Sequence, residues 1–371
     1  MTAIAHGIAR RSATEDVPAT VRNAMPVALA RSAETPLRIL VATDAWRPQV
    51  NGVVRTHEWL AAEATKLGAE FHFVTPDRFH TIPMPTYPEI RLSLASKSRI
   101  GRIVEQIRPD AIHIATEGPI GFAMRRYCLA AGRRFTTCYH TRFPEYLAAR
   151  FRLPVGIAYA ALRRFHNSAT ATMVATAALE QELRHRGFAK TVLWRRGVNC
   201  ASFASAVRRP LDLPRPIFLT VGRVAVEKNI EAFLQLDLPG TKLVVGDGPA
   251  RERLQDEYPD CRFLGVKHGV ELADLYASAD VFVFPSRTDT FGLVMLEALC
   301  TGTPVAAFPV TGPREILGES GCGVMSEDLR EAAMTALSIS RDACRSHGLR
   351  HSMSESARSF IDNIRRAVLA A

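Results

Sequence analysis

The chain has 371 residues, 47% hydrophobic and 23% charged, an ordinary globular composition long enough for two or three domains at roughly 100–200 residues each. Its 47 basic residues outnumber 37 acidic ones for a net charge of +10 and a pI of about 9.5, a balance that fits anionic substrates, a membrane surface or nucleic acid. Seven cysteines without Cys-x-x-Cys spacing argue for reduced thiols and against a zinc site, and no apolar run reaches the roughly 18 residues needed to span a bilayer.

Residues 1–36 mix Arg10, Arg11, Glu15, Asp16, Pro18 and Pro26 with small residues and lack a convincing apolar stretch, so they read as a disordered leader and not as a signal peptide. From Leu37 strands and helices alternate. Leu37–Thr43 is a buried-strand run, followed by a polar loop from Asp44 to Gly52 and a helix over about Val54–Leu67 closed by Gly68. Further strands are expected at Glu70–Thr75, Ala111–Ala115, Phe135–Tyr139, Ala171–Val174 and Thr191–Trp194. The rhythm breaks in 208–216, where Pro210, Pro214 and Pro216 mark a linker. It restarts at Ile217–Val221, Lys242–Val245, Arg262–Leu264, Val281–Phe284 and Pro304–Ala307. Such alternation implies parallel sheets covered by helices, here two Rossmann-like domains (37–207 and 217–350) facing each other across a cleft. Ligands of open α/β sheets bind beyond the carboxyl ends of the strands, where the polar loops of this chain fall.

The most informative of those loops runs from Ser286 to Cys300. Glu297 stands in the run Phe291–Cys300, which is otherwise apolar nearly all round, and a buried carboxylate needs hydrogen bonds. Asp289 lies eight positions upstream, and between the two acids Phe291, Gly292 and Leu293 open a helix whose backbone N–H groups suit an anion. Two acids around an anion-binding helix start fit a sugar nucleotide; a capped helix with one awkward glutamate fits the same residues. In Val221–Asn229, Arg223 and Lys228 stand near a helix start, where a diphosphate would find two cations; solvated surface charges are the alternative. Gly246-Asp247-Gly248-Pro249 lacks the third glycine of a dinucleotide fingerprint, since Arg251 occupies it, and reads as a tight turn. His140 follows a strand at its carboxyl end, and Gly52 sits in a loop before a helix in the first domain. Between Arg125 and Arg164 nine arginines and one acid, Glu145, interleave with Tyr146, Leu147, Phe151, Leu153, Ile157 and Phe165. That stretch fits either an interfacial membrane surface or packed helices with solvated arginine faces. No nucleic-acid module is recognisable, so nucleic acid is not expected as a partner.

Taken in order, Gly222-Arg223…Glu227-Lys228-Asn229, Gly246–Pro249, Phe284-Pro285-Ser286, Asp289…Glu297 and Gly302–Val305 resemble the family-four (group 1) glycosyltransferases of the GT-B fold. The segments Asp44–Arg55 and Ser286–Gly292 look like a bacterial subgroup of glycolipid synthases and α-mannosyltransferases. The resemblance implies that Arg223 and Lys228 hold the diphosphate of a UDP- or GDP-sugar with backbone help from Phe291, Gly292 and Leu293. It implies that Glu297 binds ribose, Asp289 the sugar hydroxyls, that His140 faces the reacting sugar, that Gly52 lies near the phosphates and that Val266 lies near the base. The last helix, 351–371, is expected to cross back to the first domain. Asp289 is one methylene shorter than the usual glutamate, and Arg196-Gly197-Val198-Asn199 replaces the usual Asn-Gly-Val-Asp. No Asp-x-Asp occurs, so neither a metal nor another cofactor is expected. The expected activity is retaining transfer of a hexosyl unit to the hydroxyl of a membrane lipid, by a cytoplasmic protein held at the anionic inner face of the cell membrane. GDP-mannose-dependent α-mannosyl transfer in polysaccharide assembly is the alternative, and a non-catalytic sugar-nucleotide binder that from another class.

Overall fold

A computed structural model describes residues 35–47, 52–84, 87–140, 142, 144 and 154–369. Nearly all of the expected leader, the loop residues Pro48 to Asn51, and Tyr146, Leu147, Phe151 and Leu153 of the arginine-rich stretch lie outside them.

Each half is built on one six-stranded parallel sheet. In the first, β1 (Leu37–Ala42), β2 (Ala69–Val74), β5 (Ala111–Ile114), β6 (Thr136–Cys138), β7 (Ala171–Val174) and β8 (Thr191–Leu193) are ordered β2-β1-β5-β6-β7-β8. In the second, β9 (Ile217–Val221), β10 (Thr241–Val245), β11 (Arg262–Phe263), β12 (Val281–Phe284), β13 (Val305–Ala307) and β14 (Gly323–Met325) are ordered β11-β10-β9-β12-β13-β14. Strands β5, β7 and β12 are buried at every position, as a sheet covered on both faces requires. The chain reverses direction across the sheet between β1 and β5, and again between β9 and β12. The loops leaving those strands therefore diverge and leave a crevice at their carboxyl ends.

The first helix starts at Gly52, runs to Ala64 and tightens into a 3-10 turn, Thr65–Leu67, before Gly68 at φ 67°. Two elements have no counterpart in the sequence reading. Strand β14 is three residues long, and an antiparallel hairpin joins β3 (Thr81–Met84) to β4 (Tyr87–Ser93). Pro83, Pro85 and Pro88 hide the hairpin, because proline interrupts alternation in sequence but is tolerated in strands with a free edge.

The end of the chain belongs to the core of the first half. On the helix Met353–Ile364, Phe360 packs 4.7 Å from the Trp194 ring and 5.8 Å from Phe71. Trp194 Nε1 donates to the Ser356 carbonyl and hydroxyl oxygens at 3.1 Å, and Asn363 Nδ2 donates to the Leu193 carbonyl at 2.8 Å. Residues 208–216 are fastened to the second half, where Arg208 and Arg215 both reach Asp280 at 2.7 Å and Arg209 reaches Asp274 at 2.6 Å.

Candidate active site between the two sheets

Four loops at the carboxyl ends of strands form the site, and each has a local reason for its shape. After β9, residues Val226–Lys228 make a 3-10 turn that ends on Asn229 at φ 52°. Asn229 holds its left-handed conformation while Nδ2 donates to the Pro285 carbonyl at 3.0 Å, and Thr288 Oγ1 donates to the Glu227 carbonyl at 3.0 Å. The loops after β9 and β12 are thereby stitched together. Gly246 and Gly248 serve the same packing: a Cβ at either would lie 1.8 Å or 2.4 Å from the carbonyl oxygens of Gly222 and Val224. This is the tight turn read from the sequence.

Lys228 Nζ donates to Asp289 Oδ1 at 2.5 Å, so the cation and the first acid meet as an ion pair. Oδ2 of Asp289 has no hydrogen-bond partner among the described residues. Arg223 is half-buried beside Gly222 in the same loop. Gly292, at φ 92°, turns the chain into the helix Leu293–Cys300, and a Cβ there would meet Met295 at 2.7 Å and Phe284 at 2.9 Å. Gly52 opens the first helix of the other half, where an added Cβ would stand 3.6 Å from Leu293 Cδ1. The starts of these two helices, the positive ends of their dipoles, thus lie against each other.

Glu297 is 1% exposed, and both its oxygens are engaged. Arg55, one turn into the first helix, donates from Nη1 to Oε1 at 2.7 Å, and the Tyr276 hydroxyl donates to Oε2 at 2.9 Å. Burial, the largest influence, opposes the Arg55 charge, but the Glu297 carboxylate together with Tyr276 and Glu58 outweighs it and holds the guanidinium above its ordinary value. Burial and then Glu297 push the Tyr276 phenol well above 10. The awkward glutamate is therefore satisfied within the protein, by an arginine from the opposite half.

His140 leaves β6 and meets the acid-bearing loop through its main chain, whose carbonyl accepts from Thr290 Oγ1 at 2.6 Å. Burial, then the charge of Arg196, then His57, His113 and His166 hold its imidazole well below 6.5. Arg142 adds another link between the halves, pairing with Glu182 at 2.7 Å while reaching Thr311 at 3.3 Å.

His140, Asp289, Phe291, Gly292, Leu293, Glu297, Lys228 and Gly52 are thus brought into one region. Val266 lies outside this network, exposed in the loop after β11, where the neighbouring Gly265 carbonyl accepts from Gly246 N at 2.8 Å. Sequence reasoning missed Arg55, Tyr276 and Arg196. The one signal for Arg55 is its place three residues after Gly52, which puts both on the same helix face; Tyr276 carries none.

Among the described residues no group of His, Cys, Asp and Glu side chains could hold a metal ion, and no helix is long and apolar enough to cross a membrane. A family model described as glycosyltransferase family 4 matches residues 50–202, and one described as glycosyl transferases group 1 matches residues 215–342. The chain belongs to the group 1, family-four glycosyltransferases. This glycosyltransferase is 29% identical over 316 residues to the GDP-mannose-dependent alpha-mannosyltransferase of Mycobacterium tuberculosis, covering 78% of its own length and 83% of the relative. It is 25% identical over 350 residues to the alpha-monoglucosyldiacylglycerol synthase of Streptococcus pneumoniae, covering 82% and 79%. Sucrose-phosphate synthase from Thermosynechococcus elongatus has the same GT-B fold, with a TM-score of 0.72 at 20% identity over 90% of this chain and 100% of that one.

Proposed function

We propose that this glycosyltransferase moves a hexosyl unit, with retention at the anomeric carbon, from a UDP- or GDP-sugar to the hydroxyl of a membrane lipid. The observation that carries the donor half is the Lys228–Asp289 pair set beside the start of the Leu293–Cys300 helix. A lysine shared with an acid is available to a diphosphate, while Oδ2 of Asp289, buried and without a partner among the described residues, is left to accept from a sugar hydroxyl. Arg223 and the helix-start N–H groups complete the charge needed as the nucleotide departs, without a metal. Glu297 would take the ribose diol by exchanging part of its bond to Arg55.

The acceptor half rests on a surface. On the helices Pro119–Ala130 and Val155–His166, Phe122, Leu129 and Ile157 are 45%, 50% and 67% exposed, near exposed Arg126, Arg163 and Arg164. Apolar side chains amid arginines suit the headgroup region of an anionic bilayer, which supports the reading that the enzyme works at the inner face of the cell membrane. The pneumococcal relative, named for a diacylglycerol product, supports the same class of acceptor.

A second reading, α-mannosyl transfer from GDP-mannose in polysaccharide assembly, draws on the name of the mycobacterial relative. Incubation of the purified enzyme with UDP- and GDP-sugars, each offered membrane lipid or a soluble oligosaccharide, separates the two. A glycolipid product is expected; transfer from GDP-mannose to the soluble acceptor alone would replace the lipid reading.

A further inference from the structure

Arg196 is a buried cation without an ion pair among the described residues. It follows β8, is 5% exposed, and its guanidinium carbon lies 3.5 Å over the Trp194 ring. Nη2 points at two groups, Cys138 Sγ at 3.0 Å and His140 Nδ1 at 3.3 Å, while Nη1 has no hydrogen-bond partner among the described residues. No described carboxylate forms a salt bridge with it. Burying a guanidinium in this way costs stability, and an apolar side chain of similar length would fill the same slot against Trp194 at lower cost.

The bond to His140 has a chemical consequence. A guanidinium carries donors only, so the Nδ1 atom facing it must present its lone pair. A neutral imidazole has a single ring proton, which is then on Nε2. Burial and the Arg196 charge keep the ring neutral near pH 7. Nε2 has no partner among the described residues, and the ring is braced edge-on to Trp194 at 6.1 Å. The His140 carbonyl meanwhile holds Thr290, the neighbour of Asp289, so the residue is bonded to the acid-bearing loop.

We propose that Arg196 is a positioning residue that fixes His140 as its Nε2-protonated tautomer, so that the ring offers the donor sugar a hydrogen-bond donor and not a base. This rests on the sugar-nucleotide reading of the site. A histidine held in this form cannot take the proton of the acceptor hydroxyl, and its contribution is orientation of an oxygen on the transferred sugar.

The test uses the full chain labelled with 15N-histidine. Long-range 15N–1H correlation spectra report each ring's tautomer, and the His140 signals are those missing from a His140→Gln variant. The wild type should show the Nε2–H form. Arg196→Met, which keeps the packing on Trp194 and removes the donors, should shift His140 toward the Nδ1–H form or a mixture. The same variant should lose on the order of 10–100-fold in kcat, the range for one misplaced site group, with little change in KM for the nucleotide sugar and no fall in Tm. In a His140→Gln background, whose amide supplies a donor without help from Nδ1, Arg196→Met should cost less than about 2-fold, because the effect runs through the ring it no longer meets. An Nδ1–H wild type, an unchanged tautomer in Arg196→Met, or equal losses in both backgrounds would overturn the proposal. A lowered Tm with kcat preserved would make Arg196 a packing residue instead. The tautomer is read without substrate: an Nε2–H ring in a protein that transfers no sugar would sink the proposed function and leave the Arg196 bond standing.

Discussion

Replacing Glu297 exposes how the two halves share one carboxylate. Its oxygens accept from Arg55 at 2.7 Å and from Tyr276 at 2.9 Å in a position that is 1% exposed. In Glu297→Gln the amide carbonyl can keep the Arg55 bond, and the amide NH2 can donate to Tyr276 once that hydroxyl turns round. A hydrogen bond to a charged group contributes about 1.5–3 kcal/mol and a neutral one about 0.5–1.5, so the exchange should cost roughly 1–2 kcal/mol. The Arg55 side chain is 24% exposed, and water taking up part of its charge favours the lower end. Glu297→Ala removes both acceptors and opens a hole in a buried helix, for which about 3–5 kcal/mol is expected. Urea unfolding followed by tryptophan fluorescence measures both. Equal losses for Gln and Ala would refute the reasoning, since they would mean that the two hydrogen bonds do not set the cost. If ribose also uses this carboxylate, exchange of a charged for a neutral acceptor should weaken nucleotide-sugar binding by about 10-fold, roughly 1.4 kcal/mol. Unchanged affinity for both sugar nucleotide and free nucleotide would remove Glu297 from the donor site.

Arg223→Ala and Lys228→Ala should each lower turnover by on the order of 10²–10³ while leaving the unfolding midpoint close to wild type; near-normal turnover would end their leaving-group role. Activity should survive a chelator of divalent ions, and loss restored by Mg²⁺ or Mn²⁺ would count against cations of the protein doing that work. Removing Arg163 and Arg164 together should weaken sedimentation with anionic vesicles by about 30-fold at roughly 1 kcal/mol per arginine, whereas indifference to lipid charge would discard the membrane surface. Burial, foremost, holds His57 and His351 down at about 4, below the ~6.5 of the unfolded chain. The unfolded state therefore takes up protons first as pH falls, so stability is full above about pH 6.5 and declines toward pH 4. The urea midpoint should follow that course, with a shallower decline in His57→Gln; an identical decline would exclude His57 as a source.

Much of this molecule is legible in local pattern. Two series of short, mainly apolar strands separated by helices suffice for two parallel sheets, because a strand buried on both faces is mostly apolar and a parallel connection is usually made through a helix. The loops with chemistry could be located for the same reason, since a strand's carboxyl end is known once the strand is. Gly292 and Asn229 carry their conformational meaning in their own residue types. The hairpin with its prolines and the three-residue β14 escape because their patterns are too short or too interrupted to rise above loops.

What only the tertiary structure decided is which side chains meet. Lys228 and Asp289 stand out separately in the sequence, as a cation for phosphate and an acid for sugar, yet they form one ion pair across 61 positions. Glu297 calls for a partner, but nothing local says that Arg55, 242 positions earlier, supplies it. Arg196 looks like a departure from a motif until β6 and the segment after β8 bring it beside His140. Periodicity reports only which face of an element is buried, because it arises from the geometry of a single helix or strand. Pairing between halves depends on how two sheets and the returning C-terminal helix are packed, and that is a property of the assembled core.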